Sequence, residues 1–288
     1  MIQKVLEIDR CYRSSWDVRA IAQVTGVGHT TVAQVLREAR GPRPQPPKEH
    51  HNRRTRFIRT DVMWSSDFME LPGKRQLLKT LDEMSRFRLG WTTHETPTAQ
   101  AAVDHAEDIL ERMGRAPLVW KYDHGSPFTS DYFQEFLEEH KILPFPIPPR
   151  APWANGRVER DHQEIQNWLI PVWDLGLTDI ELERDVDEGM RMLNFIKPRW
   201  VMGYRTSANV YFHTDSAADI DRDWLALDLE QIKCTLYPNR RLTGERLQRK
   251  AVRMLLEKWG LYEEWEEIPK DAATDESVNR SPDDDVTF

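Results

Sequence analysis

The chain predicts an α/β protein: a mixed sheet flanked by helices, with a small helical domain ahead of it and a mainly helical region behind. Three observations lead there. Residues 62–71, 75–82 and 87–93 read as consecutive strands, separated by turn signals at Pro72-Gly73 and Met84-Ser85-Arg86. From residue 98 helical and strand patterns alternate: helix over 98–112, strand over 118–122, helix over 130–139, strand over 141–147, helix over about 155–169. Residues 14–40 and 171–230 carry helical spacing.

Taken in order, 14–40 place Val18, Ile21 and Ala22, then Val32, Val35 and Leu36, at helical intervals around the turn Thr25-Gly26-Val27-Gly28, with Thr30 or Thr31 as an N-cap. Residues 41–60 open with Gly41-Pro42-Arg43-Pro44-Gln45-Pro46-Pro47, which cannot continue a helix and reads as an extended linker. Arg53, Arg54, Arg56 and Arg59 follow as a basic arm. In the helix over 98–112, Ala102, Ala106, Ile109 and Leu110 form the apolar side; Phe133, Phe136 and Leu137 do the same over 130–139. Residues 242–259 set Leu247, Val252, Leu255 and Leu256 on one side and Arg246, Arg249, Lys250 and Arg253 elsewhere.

The 288 residues favour several modules: 1–40 as a DNA-binding helix pair, 41–60 as a Pro-rich basic linker, 61–212 as the core, 213–260 as an accessory region, and 261–288 as an acidic, partly disordered tail. The net charge of −8 taken whole argues against a nucleic-acid partner, but its distribution reverses that reading. Residues 1–60 are net +7, 61–170 net −6, 171–260 net −1 and 261–288 net −8. Eleven Trp, ten Phe and seven Tyr are ample for a core. The two cysteines, Cys11 and Cys234, exclude a disulfide framework and a cysteine-based zinc site. No apolar run approaches the ~18 residues of a membrane span and the start lacks a signal-peptide core, so a soluble, cytoplasmic protein is expected.

Three carboxylates stand out. Asp67 lies inside the first strand of the core, Asp123 ends the fourth, and Glu159 opens the helix after the Pro-rich loop. A carboxylate among apolar strand residues is costly to bury without a cation or strong partner. Adjacent strands would set Asp67 beside Asp123, and a neighbouring helix would bring Glu159 across. Three oxygen ligands suit Mg²⁺ or Mn²⁺, and two such ions about 3.5–4 Å apart support in-line phosphoryl transfer. Singly, each of these residues is as readily an ordinary solvated carboxylate.

Residues 58–212 resemble the integrase core of insertion-sequence transposases and retroviral-type integrases, the DDE superfamily with an RNase H-like fold. The resemblance rests on Trp64-Ser65-Ser66-Asp67, on Leu78-Lys79-Thr80-Leu81-Asp82-Glu83-Met84-Ser85-Arg86, on Asp123-His124-Gly125-Ser126-Pro127-Phe128, and on Pro152-Trp153-Ala154-Asn155-Gly156-Arg157-Val158-Glu159-Arg160. Thirty-five residues separate Asp123 from Glu159, the D-35-E spacing of that family. The resemblance implies a five-stranded mixed sheet and makes Asp67, Asp123 and Glu159 the catalytic ligands of two Mg²⁺ or Mn²⁺ ions. Asp82 is then a structural cap, and Arg157 and Arg160 meet DNA phosphates. His124 touches the scissile phosphate or supports the site from behind.

Ala22, Gly26, Val32 and Val35 have helix-turn-helix spacing, resembling the domain ahead of many transposase cores. His29, Thr30, Thr31, Gln34 and Arg37 then face the DNA groove, and Arg53, Arg54 and Arg56 track phosphates. His50-His51 lack a cysteine pair, so no zinc module is expected. Ser207 stands where a Pro is usual in the post-core motif. The implied activity is metal-dependent cleavage at DNA 3′ ends followed by strand transfer, acting on double-stranded DNA as a homo-oligomer in a bacterial-type, nucleoid-associated setting. A domesticated DNA-binding protein that keeps the fold, and an RNase H-like nuclease that cuts without joining, remain the alternatives.

Overall fold

The computed structural model describes residues 4, 8, 11, 16–40, 53–71, 74–148, 156–173, 178–236 and 243–266. Its centre is a five-stranded sheet built from β2 (Met63–Glu70), β3 (Gln76–Asp82), β4 (Arg88–His94), β5 (Val119–Tyr122) and β6 (Leu143–Pro146), in the order β4-β3-β2-β5-β6. β2, β3 and β4 run antiparallel in sequence order, while β5 and β6 add in parallel to the other side of β2. The parallel steps need crossovers, supplied by α3 (Ala99–Met113) and by α4 (Ser126–Thr129) with α5 (Asp131–Glu139). The integrase-like mixed sheet flanked by helices is therefore present. The turn expected at Pro72-Gly73 lies outside the described residues.

Both faces of β2 and β3 are covered, so burial runs along each strand with little alternation and takes in polar residues such as Ser65, Ser66, Lys79 and Thr80. On one face Trp64, Leu78 and Trp120 pack against Ala102, Ala106 and Ile109 of α3 and Phe133 and Phe136 of α5. Each fully buried aromatic or aliphatic side chain there contributes about 1.5–3 kcal/mol. Thr98 caps α3 by accepting from the Ala101 amide at 3.1 Å, and Gly114, at φ 63°, closes it in the left-handed region. On the other face, Met69 and Leu77 meet Ile165 and Trp168 of α6 (Gly156–Trp173) and Val186 and Met190 of α7 (Asp179–Arg191).

The helical front end forms as expected: α1 (Val18–Thr25) and α2 (His29–Arg40) enclose Trp16, Ala20, Ile21, Val32 and Leu36. Asp17 caps α1 by accepting from the Arg19 and Ala20 amides, and Gly26, at φ 65°, ends it. α2 begins at His29, so Thr30 and Thr31 lie in its first turn instead of preceding it. The pair docks on the core where Met192 packs against its cluster and the Lys197 ammonium stands 5.6 Å from the Trp16 ring.

Two segments differ from expectation. Residues 53–57, read as part of a basic linker, form β1 (Arg53–Phe57), and the start of the acidic tail forms β9 (Tyr262–Glu266); the two pair antiparallel. Arg53 opposes Glu266, Thr55 opposes Glu264 and Arg56 opposes Glu263, so the basic arm lies against its chemical complement. The Arg56–Glu263 ion pair is 2.6 Å long. Opposite charges across a strand pair contribute a few tenths to about 1 kcal/mol. The remaining elements are a π-helical turn (Met192–Ile196), β7 (Pro198–Arg199), a 3₁₀ turn (Trp200–Met202), β8 (Arg205–Thr206), α8 (Ser207–Phe212), α9 (Arg222–Leu236) and α10 (Gly244–Lys258). α9, α10 and β9 share a core with Val119 and Phe145.

Charged groups buried between α6 and the sheet fix how the helix sits. Asp161 pairs with Lys79 of β3 and Arg88 of β4. Glu164 pairs with Arg88 at 3.2 Å, Lys197 at 2.9 Å and Arg199 at 3.1 Å. Burial lowers Lys79 and Lys197 to about 8, while the surrounding cations hold Glu164 well below the usual carboxylate range despite its burial. Asp161→Ala leaves the buried Lys79 without its carboxylate and Arg88 with Glu164 alone, and is expected to cost about 3–5 kcal/mol in urea unfolding; a loss under 1 kcal/mol contradicts this account.

A second buried knot joins the sheet to the C-terminal region. Asp61 accepts from Trp64 Nε1 at 3.0 Å, the Tyr211 hydroxyl at 2.6 Å and the Ser216 hydroxyl at 2.6 Å. Asp82 accepts from the Asp61 amide at 2.9 Å and the Ser85 amide at 2.7 Å, capping the β3–β4 turn as expected. Burial pushes the Asp82 carboxyl up from 3.8 to about 7, against its hydrogen bonds from Ser85 and with the Asp61 charge adding to the rise. Because the folded value is raised, the contribution is fully present below about pH 4 and is lost as pH rises through about 7. Unfolding free energy is expected to fall across that window by up to roughly 4 kcal/mol. Asp82→Asn should flatten the slope, and an unchanged slope in the variant refutes the assignment.

Candidate active site

The β2–β5 register brings two of the three predicted carboxylates together. Met63, Trp64 and Ser65 pair with Val119, Trp120 and Lys121. Continued two residues past its last pair, Ser65–Lys121, that register would set Asp67 opposite Asp123, one residue beyond the end of β5. Asp67 retains 14% side-chain exposure and Asp123 is partly exposed. Asp123 Oδ1 accepts from the Gly125 amide at 2.9 Å, which holds the carboxylate in a tight turn. A Cβ at Gly125 would lie 2.9 Å from that same oxygen, so a larger residue there would push the Asp123 carboxylate aside.

Glu159 lies in the first turns of α6; its side chain is outside the described residues. One turn later, His162 Nε2 stands 3.8 Å from Asp67 Oδ2. That distance exceeds a hydrogen bond. Burial and the nearby Lys79 lower His162 to about 3, so the ring is neutral at pH 7. The polar residues beside Asp67 are satisfied internally: Ser66 Oγ accepts from Trp120 Nε1 at 2.8 Å, and Ser65 donates to Glu83. Glu83 also pairs with Lys121 at 2.8 Å and Arg157 at 3.0 Å. Burial alone would raise Glu83, but these two cations hold it at about 2.

The predicted DNA-contacting residues are placed unevenly. His29, Thr30, Thr31 and Gln34 are exposed on α2; the side chain of Arg37 lies outside the described residues. The side chains of Arg53 and Arg54 are likewise outside them, and Arg56 is engaged by Glu263. Arg157 is turned inward: besides Glu83, it donates to the Thr55 carbonyl at 2.6 Å and covers the Phe57 ring at 5.4 Å. It braces α6 against β1 instead of standing free for phosphate. Arg160 is exposed beside a small recess it shares with Arg86, Arg157 and Arg199. Burial first, then these arginines, lower Arg86 to about 10.

Sequence reasoning missed what stands on the far side of Asp123. His124 Nε2 lies 3.5 Å from Glu245 of α10. Gln248 and Arg249 of the same helix donate to the carbonyls of Pro144 and Pro146 at 3.2 Å. More than a hundred residues separate these partners, so no local pattern announces them. Among the described residues, which do not include the Glu159 side chain, no group of three His, Cys, Asp or Glu side chains is placed to hold a metal ion. No helix among them is long and apolar enough to cross a membrane.

Known proteins share this architecture. The model of the integrase core domain matches residues 59–152, a stretch that ends before Glu159. The ORF3 protein of Spiroplasma virus SpV1-C74, whose name calls it an integrase, is 26% identical over 144 residues, 45% of this chain and 40% of that protein. The Gag-Pro-Pol polyprotein of squirrel monkey retrovirus is 28% identical over 126 residues, 43% of this chain but 7% of the polyprotein. The chain thus spans less than half the length of either relative. Among solved structures, a chain of the simian T-cell lymphotropic virus intasome in complex with PP2A regulatory subunit B56 gamma superposes with a TM-score of 0.51 at 17% identity, over 75% of this chain and 77% of that one. That likeness concerns the fold alone. Residues 59–152 thus match the integrase core domain, and the chain shares sequence similarity with these viral proteins.

Proposed function

We propose that the chain is a DDE-type transposase or integrase that cleaves DNA at 3′ ends and joins the freed ends to target DNA. The observation that carries this reading is the register that aligns Asp67 with Asp123 at the end of β5, under a helix whose residue 159 lies one turn before His162. The donor set fits a hard divalent cation: two partly exposed carboxylates stand together, next to an imidazole held neutral. Asp67, Asp123 and Glu159 would hold two Mg²⁺ or Mn²⁺ ions. Bound there, such ions supply Lewis acidity, neutralising phosphate charge and easing deprotonation of the attacking oxygen.

The protein's own part is positioning. Asp123 is locked by the Gly125 amide, Asp67 by its place in a central strand, and the helix bearing Glu159 by the buried pairs of Asp161 and Glu164. In the first step a water oxygen bonds to phosphorus and the bond to the 3′ oxygen breaks, leaving a 3′ hydroxyl. In the second, that hydroxyl attacks a target phosphate and displaces the target's own 3′ oxygen. No covalent protein intermediate is required. The exposed α2 residues His29, Thr30, Thr31 and Gln34, with Arg37, suit groove recognition. Two ends reacting together call for at least two copies of the chain on DNA.

The test is strand transfer with paired terminal-repeat DNA in Mg²⁺ or Mn²⁺, with joined and merely cut products resolved. Asp67→Asn, Asp123→Asn and Glu159→Gln should each reduce joining on the order of a hundredfold or more with unchanged melting temperature. Activity that survives all three substitutions would falsify the assignment. Cutting without joining in the unmodified chain points to a nuclease, and DNA binding without either to a domesticated protein.

A further inference from the structure

We infer that the exposed cations of α10, Arg246, Lys250 and Arg253, form a DNA-backbone track that leads into the catalytic end of the sheet; this rests on the DNA-transferase reading above. α10 buries Ala251, Val252, Leu255 and Leu256 against Phe145, Val119 and the α9 helix. That fixes its rotation. Residues 246, 250 and 253 then share the opposite, exposed side at intervals of four and three, and Glu257 ends the stripe.

Two observations separate this stripe from an ordinary solvated face. The other described cations of α9 and α10 are each held: Arg222 by the Ala116 and Pro117 carbonyls, Lys233 by Glu230, Arg249 by Glu245 and Lys258 by Asp228. Among the described residues, Arg246, Lys250 and Arg253 form no ion pair with a carboxylate, and the Arg253 guanidinium lies 5.8 Å from the Phe145 ring centroid. The stripe is also aimed. The N-terminal end of α10 touches His124, next to Asp123, while Gln248 and Arg249 pin the helix to the backbone of β6. A phosphate chain following the stripe toward residue 246 arrives at the candidate site.

The dimensions suit nucleic acid. From 246 to 253 the helix rises roughly 10 Å, the axial span of about three phosphates of one strand. Long, flexible Arg and Lys side chains on a rigid helix can meet a regular line of charge without reading base sequence, so the track positions DNA and does not select it.

The test is affinity of the full chain for a linear duplex across a salt series, repeated with the Arg246→Ala/Lys250→Ala/Arg253→Ala variant. The slope of log K against log salt should become shallower by about 2.7, or 0.9 per phosphate lost. Arg246→Lys/Arg253→Lys, which keeps the charges, should retain the parental slope. Equal melting temperatures of all three proteins show that the fold is intact. An unchanged slope in the alanine variant overturns the proposal, whether the stripe is merely solvated or faces an acidic protein segment. Asp67→Asn separates the two claims. It should abolish joining and keep the steep slope; if the unmodified chain does not join DNA while the slope still depends on α10, the transferase reading fails and the track stands.

Discussion

The arrangement depends on charges buried between α6 and the sheet. Asp161 and Glu164 take Lys79, Arg88, Lys197 and Arg199 out of water. Such burial rarely adds net stability compared with apolar packing, because the desolvation cost is close to the Coulombic gain. Its value lies in geometry. An apolar face tolerates rotation and sliding, whereas displaced ion partners leave charges unpaired at several kcal/mol. The side of α6 bearing 161 and 164 is therefore pinned over β3 and β4, and the turn containing 159 and 162 falls toward Asp67. Lys197 carries the constraint further, since its ammonium also faces Trp16 in the helical front end.

A compensating order surrounds the carboxylate pair. Ser65, Ser66, Lys121 and Glu83 are buried polar residues in or beside central strands, and each has a named partner. Glu83 absorbs the charges of Lys121 and Arg157, while Asp161 absorbs that of Lys79, the residue opposite Asp67 in the β2–β3 register. The cations closest to the site are thus already spoken for by structural carboxylates.

Much of this was legible in the sequence, for physical reasons that differ by element. β2 through β6 announce themselves because apolar strands end at glycine, proline and short polar turns. The parallel pairing of β2 with β5, on which the expected meeting of Asp67 and Asp123 rests, follows the alternation of helix and strand. Contacts set by tertiary packing were hidden. Arg157 looks like a free cation beside Glu159, yet its guanidinium is consumed by Thr55 and Glu83. The π-helical turn at Met192–Ile196 continues α7 without a break in apolar pattern, so nothing local marks its change of winding. Arg53–Phe57 reads as an arm because its partner strand lies some two hundred residues away.

That last pairing changes what the charge distribution means. The front end is net +7 by count, but part of that charge is taken up across β1–β9, where Arg56 pairs with Glu263. A paired strand presents DNA with both signs at close spacing, and the fields largely cancel beyond a Debye length of about 8 Å at physiological salt. Long-range attraction must then come from cations without acidic neighbours. Among the described residues, those of α10 are concentrated on one rigid face at the catalytic end, and Arg160 stands beside the candidate site. Under the proposed function, recruitment would draw on described cations that form no ion pair with a carboxylate, and those of α10 lie close to the candidate site.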